Sequence, residues 1–395
     1  MMQLNEVSIV GAGLGGLAAA LAIQRYGMRV RVYEQAARLA EVGAGVHQSP
    51  NGLKVLKALG LQEVLERDWY RPKCISTRHY QTGVPNFEGD LGAPFVDKFG
   101  APFVSLHRAD LHNALIDAVR QNDPNAIVLD KKLIGLTETP EQVELAFADG
   151  SKHATQVLIA ADGVHSVIRS SLYGELGATF TGHVAYRGLV SVDAVPTDII
   201  EPKVNVWVGP GKHVVAYYVR RGELVNYVAI IEERGWETES WTTKADKAQL
   251  AKAFEDWHPP VQTLIDKTLD DQCFKWALLN RVPLPHWSTP RITLIGDAAH
   301  PMVPYLAQGA VMAIEDGWVL AHALANQDDV SSALATYEAT RIERTTKVQH
   351  AAWEQGQQNH AVGTEMDKGD FKGGNFADTA WIYGHDVCAT APHTG

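Results

Sequence analysis

Cysteine is scarce in this sequence. The three that occur, Cys74, Cys273 and Cys388, are odd in number and far apart, which excludes a disulfide framework and a CxxC metal or redox site. We therefore expect no bound metal and a reducing, cytoplasmic location.

Long apolar runs and an excess of positive charge are also missing. No stretch approaches the roughly 20 apolar residues of a membrane span, and no basic and apolar leader precedes the first predicted strand. The net charge of -11 at pH 7 argues against a surface for nucleic acid or anionic membrane. The expected protein is soluble and contacts neither nucleic acid nor membrane.

The composition is that of a large folded protein. With 395 residues, 46% of them hydrophobic and 21% charged, the chain is long enough for one large core or two closely packed domains.

A glycine-rich turn follows the first apolar run. In SIVGAGLGGLAAALAI (residues 8–23), Gly11 is placed for a tight turn, Gly13 for close approach of the backbone to a pyrophosphate, and Gly16 for close packing of the next helix. The start of that helix, at Leu14 and Gly15, is a site for the anion. A second predicted strand in MRVRVYEQ (residues 28–35) ends at Glu34, which Gln35 follows. Glu34 lies 23 residues after Gly11, close to the roughly 20 expected for the acid that binds the ribose hydroxyls of a dinucleotide.

The remaining pattern predicts a nucleotide domain that is split in the sequence. Helices are predicted over 49–66 and 105–121, Val- and Tyr-rich strands over 182–233, and a return to strand, loop and helix from 290. The fold class is thus α/β, a Rossmann-like domain with an inserted antiparallel β-sheet domain and C-terminal helices. The first part of the nucleotide domain is predicted over 1–175, including small substrate-side segments at about 70–105. The inserted, mainly β domain is predicted over 176–280. The second part of the nucleotide domain, with the C-terminal helices and the tail, is predicted over 281–395.

Two later segments complete a three-part signature. AADGVHSVIR (residues 160–169) and GDAAHPMVP (residues 296–304) stand in order after the glycine turn. Together the three resemble the fingerprints of the single-component FAD-dependent aromatic hydroxylases, or class A flavoprotein monooxygenases. The branch is that of 6-hydroxynicotinate 3-monooxygenase, salicylate hydroxylase and 3-hydroxybenzoate 6-hydroxylase.

The motifs and the resemblance together imply a set of FAD-binding residues. They are Gly11, Gly13, Leu14, Gly15, Gly16, Glu34, Gln35, Val46, Arg108, Asp162, Gly163, Gly296, Asp297, Pro304, Gln308, Gly309 and Ala310. A helix starting at about Gln308 to Ala310 would favour the anionic reduced flavin through its N-terminus. Ala307 and Val311 depart from the PxxGQGxN pattern of the family, so no Asn side chain contacts the flavin there.

A second GxGxxG followed by an acid is absent from the sequence. This excludes a separate nicotinamide domain, and the lack of CxxC after the first turn excludes a disulfide reductase. The resemblance implies that NADH docks transiently as the electron donor and that dioxygen is the oxidant.

Candidate substrate residues lie on one strand and one loop. In KHVVAYYV (residues 212–219), His213, Val215 and Tyr217 share a strand face, which supplies a base, an apolar contact and a phenol. A phenolate ring is a better nucleophile than a phenol, so the reaction needs such a base. His47 is a second candidate base, and the choice between His47 and His213 stays open. The predicted substrate contacts are His47, Val215, Tyr217 and Pro304.

Other conspicuous residues are interpreted as structural. His107 and His300 are expected to be hydrogen-bonded side chains, and WIYGHD (residues 381–386) a packing or dimer element. The chain is expected to be a monomer or a homodimer.

The resemblance implies hydroxylation of a small hydroxylated aryl or pyridine carboxylate through a flavin hydroperoxide. Loss of the carboxylate, as in the 6-hydroxynicotinate or salicylate reactions, is the first alternative, and 3-hydroxybenzoate-like hydroxylation without it is the second. A flavin dehydrogenase or oxidase that inserts no oxygen is the rival from another class.

Overall fold

The computed structural model describes residues 4, 6–39, 44–175, 177–233, 235, 243–361 and 376–389. The strands are β1 (Val7–Val10), β2 (Val30–Tyr33), β3 (Gly45–Gln48), β4 (Cys74–His79), β5 (Pro85–Asp90), β6 (Val104–His107), β7 (Ile127–Val128), β8 (Leu133–Glu138), β9 (Val143–Phe147), β10 (Lys152–Thr155), β11 (Val157–Ala160), β12 (Thr179–Ser191), β13 (Val204–Gly209), β14 (Lys212–Val219), β15 (Leu224–Glu232), β16 (Phe274–Asn280) and β17 (Ile292–Leu294). The helices are α1 (Leu14–Arg25), α2 (Pro50–Ala58), α3 (Gln62–Glu66), α4 (Ala93–Phe99), α5 (Arg108–Asn122), α6 (Val167–Tyr173), α7 (Lys247–Ala253), α8 (Pro259–Lys267), α9 (Gly309–Asn326), α10 (Val330–Ala361) and α11 (Phe376–Tyr383).

A five-stranded parallel sheet forms the nucleotide half, in the order β17-β11-β1-β2-β7. Strands β1 and β11 are buried at every position, as expected for parallel strands that are covered on both faces. Helix α1 packs against α5 and α9. A Cβ on Gly317 of α9 would lie 2.6 Å from the Ala19 nitrogen, so only glycine permits this close crossing. Because β17 joins beside β11, the predicted split Rossmann-like domain is confirmed.

A seven-stranded sheet forms the other half, in the order β16-β12-β15-β14-β13-β4-β5. Its ladders are antiparallel, as predicted, except that β13 and β4 run parallel. One face, which includes Val214 and Ala216, packs with Phe254 and Trp257 beneath helices α7 and α8. The other face, which includes Val215 and Tyr217, packs towards α9 and α11. The exact domain boundaries stay a prediction.

The helices differ from the sequence pattern at two places. The single helix predicted over 49–66 is two helices, because the chain turns at Gly60, where φ is +82°. Helix α10 extends to Ala361, beyond the predicted end near Glu354. Helices α5 and α9 begin at Arg108 and Gly309, where they were predicted. Within the described ranges, no helix is both long and apolar enough to cross a bilayer.

Candidate active site

The turn between β1 and α1 presents its backbone to an opening. Gly11 has a φ of +104°, and a Cβ there would lie 2.3 Å from the Ala161 carbonyl oxygen. A Cβ on Gly16 would lie 2.0 Å from the Gly11 carbonyl oxygen, so both positions require glycine. Gly13 is different: its backbone is extended, with φ −73°, and no atom lies within 4 Å of its ideal Cβ. Gly13 thus borders free space at the N-terminus of α1, where Leu14 begins the helix.

Glu34 lies against this turn. One carboxylate oxygen accepts the N–H of Ala12 and the other the N–H of Ala36, each at 2.9 Å. A cavity of about 370 Å³ opens beside them, and Gln35 and Gly13 line it. The cavity therefore joins the glycine turn to the acid that was predicted to hold a ribose.

The second motif is held by its own side chains. The Asp162 carboxylate accepts the Ser166 hydroxyl at 2.5 Å, and burial raises the Asp162 pKa. Gly163 has a φ of +77° and lines the same cavity. Arg169 donates to the main-chain carbonyl of Asp297 at 3.2 Å, so it ties the second motif to the third.

The third motif is fixed by a buried acid from α9. Asp316 accepts the Gly296 N–H at 2.9 Å, and the same oxygen lies 2.6 Å from His300 Nε2. His300 is buried, in line with its predicted structural role. Asp297 is exposed at the carboxyl end of β17. The buried contacts thus hold the turn, while Asp297 itself is exposed.

The loop before α9 carries the departure from the family pattern. Ala307 has a φ of +53°, a left-handed conformation that glycine adopts without strain. Gln308 is buried and donates to the Ser49 hydroxyl at 3.1 Å. Val311 is fully buried, and its side chain offers no polar group at the position where the family pattern has Asn. The predicted cofactor residues of this loop and of the start of α9 are Pro304, Gln308, Gly309 and Ala310.

Strand β3 brings a second loop to the same region. Val46 pairs with Leu106 of β6, and the Arg108 N–H donates to the Ala44 carbonyl at 2.7 Å. A Cβ on Gly45 would lie 2.5 Å from the Tyr217 hydroxyl, so β3 packs directly on β14. These contacts place β3 at the junction of the two sheets.

His47 is the best-formed candidate base. Its ring centroid lies 3.9 Å from that of Tyr217 and 5.0 Å from that of Phe103. His47 Nδ1 is 3.1 Å from the Ser105 hydroxyl, whereas Nε2 is buried and has no hydrogen-bond partner among the described residues. Burial lowers the His47 pKa to about 3, so the ring is neutral. It therefore holds an unused nitrogen in an apolar, aromatic pocket.

His213 faces the same way as Tyr217 but meets different partners. His213 Nδ1 lies 2.9 Å from His360 Nε2, and its ring centroid is 5.5 Å from that of Tyr305. Four residues of strand separate His213 from Tyr217 by about 13 Å. The shared face is as predicted, but the structure brings His47, not His213, to Tyr217.

Comparisons with known proteins bear on these motifs. A family model described as an FAD binding domain matches residues 5–352. The chain is 39% identical to 3-amino-4-hydroxybenzoate 2-monooxygenase PtmB3 of Streptomyces platensis, over 97% of this chain and 96% of that one. It is 35% identical to 6-hydroxynicotinate 3-monooxygenase of Pseudomonas fluorescens, over 98% and 96%. The chain belongs to the FAD-dependent aromatic-ring monooxygenases.

Solved structures agree with this membership. Klebsiella pneumoniae HpxO complexed with FAD and uric acid superposes on this monooxygenase with a TM-score of 0.86. It is 25% identical and covers 98% of this chain and 97% of its own. The FAD-dependent fold is therefore shared over nearly the whole length.

The residues of this monooxygenase fit FAD. The space at Gly13, the carboxylate of Glu34 and the lined cavity form one continuous opening between the first and second motifs. The exposed Asp297 lies at the end of β17, which neighbours β11 and so the same edge of the sheet. Backbone N–H groups, an acid for hydroxyls and open space are what a dinucleotide requires.

The sequence did not predict three residues that lie close to His213. Tyr305 lies beside His213, while His183 and His360 lie on elements that are far away in the sequence. No short motif links His183 of β12 to His360 of α10, so only the fold reveals their contact. The one available signal was the fingerprint itself, because Tyr305 directly follows GDAAHPMVP.

Proposed function

We propose that this monooxygenase hydroxylates a small aromatic or pyridine carboxylate that already bears a hydroxyl or related electron-donating group. The observation that carries the proposal is the unpartnered, buried His47 Nε2 beside Tyr217. The named relatives support it, because they act on an aminohydroxybenzoate and on 6-hydroxynicotinate. Bound FAD, once reduced, supplies the activation of dioxygen.

In this proposal His47 Nε2 accepts the proton of the substrate hydroxyl, and the negative charge of the bound carboxylate substrate raises the His47 pKa from about 3 towards neutrality. Its hydrogen bond to Ser105 fixes the ring, so Nε2 stays aimed at the pocket. Tyr217, whose pKa burial raises far above its usual value, stays protonated and donates a hydrogen bond to the substrate. Val215 and the pyrrolidine ring of Pro304 supply apolar contacts. The exclusion of water by Phe103 and Tyr217 strengthens both hydrogen bonds.

NADH is the proposed reductant and dioxygen the proposed oxidant. The hydride of NADH and one proton from solvent convert one oxygen atom of dioxygen to water. The other oxygen atom forms the C–O bond of a new ring hydroxyl, and the proton that leaves the ring carbon balances the proton on that hydroxyl. In the decarboxylating alternative, carbon dioxide leaves in place of that proton. NADH docks transiently, since the sequence contains only one GxGxxG turn with its acid.

The test is a panel of 6-hydroxynicotinate, salicylate, 3-hydroxybenzoate and 3-amino-4-hydroxybenzoate. NADH oxidation and mass-resolved product are measured together under labelled dioxygen, because a ligand that merely stimulates NADH oxidation gives no oxygenated product. We expect one labelled oxygen atom in the product, and the product mass then separates simple hydroxylation from loss of the carboxylate. A product formed without label indicates the dehydrogenase or oxidase class instead.

A further inference from the structure

Three side chains of the kind that bind metal ions lie together in the seven-stranded sheet, apart from the pocket of His47. His183 of β12 and Glu232 of β15 stand directly opposite in the antiparallel register, and His360 comes from the last turn of α10. Glu232 Oε1 lies 3.4 Å from His360 Nδ1 and 4.0 Å from His183 Nε2. One ligand atom from each residue lies within 4.8 Å of the others.

Main-chain hydrogen bonds hold the three elements together. The Gly211 N–H donates to the His360 carbonyl at 3.2 Å, and the Glu232 N–H donates to the Gly211 carbonyl at 3.0 Å. The hairpin between β13 and β14 therefore links α10 to β15. Backbone hydrogen bonds therefore fix the relative positions of Glu232 and His360.

The second nitrogen of each imidazole is already engaged. His183 Nδ1 lies 2.5 Å from the Tyr305 hydroxyl, and His360 Nε2 lies 2.9 Å from His213 Nδ1. Metal-ligating histidines are oriented in this way by a hydrogen bond to the nitrogen that does not bind metal. The remaining nitrogens of both rings face Glu232.

His360 carries an unsatisfied polar atom. The residue is 3% exposed, and its Nδ1, although 3.4 Å from Glu232 Oε1, makes no hydrogen bond of normal geometry to a described residue. A histidine binds a metal through a ring nitrogen that carries no proton, and the buried Nδ1 of His360 is such a candidate.

We propose that His183, Glu232 and His360 bind a divalent transition metal of the zinc type. Two imidazoles and one carboxylate suit zinc, whereas calcium and magnesium prefer sets of oxygen ligands. The ligand atoms of a tetrahedral zinc site are about 3.3 Å apart, so small side-chain rotations suffice. The Glu232 side chain is 55% exposed, which gives the ion a path from solvent and leaves a position for water.

The metal would also affect a neighbour. Zinc on His360 Nδ1 leaves the ring proton on Nε2, so His360 then donates to His213 Nδ1. The site is therefore connected to the sheet face that carries Tyr217, although it lies outside the FAD motifs.

The test measures zinc binding directly on the FAD-loaded full chain, by equilibrium dialysis at buffered free zinc. Wild-type protein should retain one zinc ion, and Glu232→Gln and His183→Gln should each weaken its binding about tenfold or more. Glu223→Gln, at a carboxylate that is similarly exposed, is the matched control and should bind as wild type. X-ray absorption of the bound ion should show imidazole ligands.

Two results would overturn the site: no zinc retained by the wild type at micromolar free metal, or equal retention by wild type and Glu232→Gln. Glu232→Gln keeps the proposal falsifiable even if His183→Gln misfolds, because Glu232 is largely exposed. Hydroxylase activity is not the readout, so failure of the proposed substrate class would leave this result unaffected.

Discussion

His47 and His213 are both buried neutral imidazoles, yet their hydrogen-bond partners separate them. His47 keeps Nε2 without a partner, whereas His213 Nδ1 is engaged by His360. A base needs an available nitrogen within hydrogen-bonding reach of the substrate proton. We therefore propose His47 as the base, because its Nε2 meets this condition, and the variants below test the choice between the two histidines.

Replacing His47 by glutamine should test that role. His47→Gln keeps the size of the side chain but cannot accept the proton, so hydroxylation should fall by about 10²- to 10⁴-fold. FAD content should remain normal, and hydrogen peroxide should rise relative to product. Part of the rate should return as pH approaches the pKa of the substrate hydroxyl, because solvent then supplies the deprotonated ring.

The control for this variant is His286→Gln, at an exposed histidine with a side chain that is 73% accessible. It should match wild type in rate and in coupling of NADH to product. If His47→Gln hydroxylates as fast as wild type, with the same coupling, His47 is not the base and His213 becomes the candidate.

Gly13 offers a clean test of the cofactor assignment. Its extended backbone accepts any residue and its Cβ direction is open, so Gly13→Val should fold normally. The branched side chain would fill the space that we assign to the pyrophosphate, and most of the FAD should be lost. The flavin-to-protein absorbance ratio of the purified protein measures this.

Gly135→Val is the matched control, because Gly135 of β8 also has open space at its Cβ and lies away from the turn. It should keep a full complement of FAD. A Gly13→Val protein that purifies with wild-type FAD content would contradict the assignment of this turn.

Helices α9 and α10 are joined by a buried ion network. Arg341 is fully buried and donates to Glu315 at 2.6 Å and to Asp316 at 2.8 Å. Arg344 also donates to Glu315, at 2.9 Å. The Arg341 and Arg344 guanidiniums help hold the Glu315 pKa down at about 2, despite its complete burial. Since Asp316 also holds Gly296, this network supports the third cofactor motif.

Arg341→Met should therefore be strongly destabilising. It leaves two buried carboxylates short of positive charge, and breaking a buried ion pair from one side costs about 3–5 kcal/mol. Chemical denaturation of the FAD-loaded protein measures the loss. Arg221→Met, which removes an exposed pair with Glu223, is the control and should cost less than about 1 kcal/mol. Equal losses in the two variants would contradict a structural role for the buried network.

The elements that the sequence predicted correctly are those with a local cause. The glycine turn, the start of α5 at Arg108 and the start of α9 at Gly309 each depend on neighbouring residues. The break at Gly60 was missed because the apolar spacing continues through it. The contact of His183 with His360 was not predictable, since it depends on how α10 crosses an edge of the sheet.

At the scale of the whole molecule, the pocket lies where the two sheets meet. Strand β3 packs through Gly45 against Tyr217 of β14, and Asn226 of β15 accepts the Gly45 N–H at 2.7 Å. His47 is therefore buried by both halves of the chain. Its hydrogen bonding and its protonation are properties of the folded molecule rather than of either half.

This burial links the pocket to acid stability. The His47 pKa is about 3 in the folded protein and about 6.5 in an unfolded chain. Between these values the unfolded chain binds a proton that the folded protein does not. The contribution of His47 to stability is therefore complete above pH 6.5 and decreases as pH falls towards 3, by up to about 1.4 kcal/mol per pH unit. His47→Gln removes this pH dependence of the free energy of unfolding, because glutamine does not titrate.

The stability of wild type should thus fall more steeply than that of His47→Gln between about pH 6.5 and about pH 5, by up to about 2 kcal/mol. Urea denaturation at several pH values measures the difference, and the other titrating groups cancel because both proteins contain them. His350→Gln, at an exposed histidine of α10, is the control and should follow wild type. Parallel curves for wild type and His47→Gln would mean that His47 is not held neutral by burial, and the pocket at the junction of the sheets would then be accessible to water.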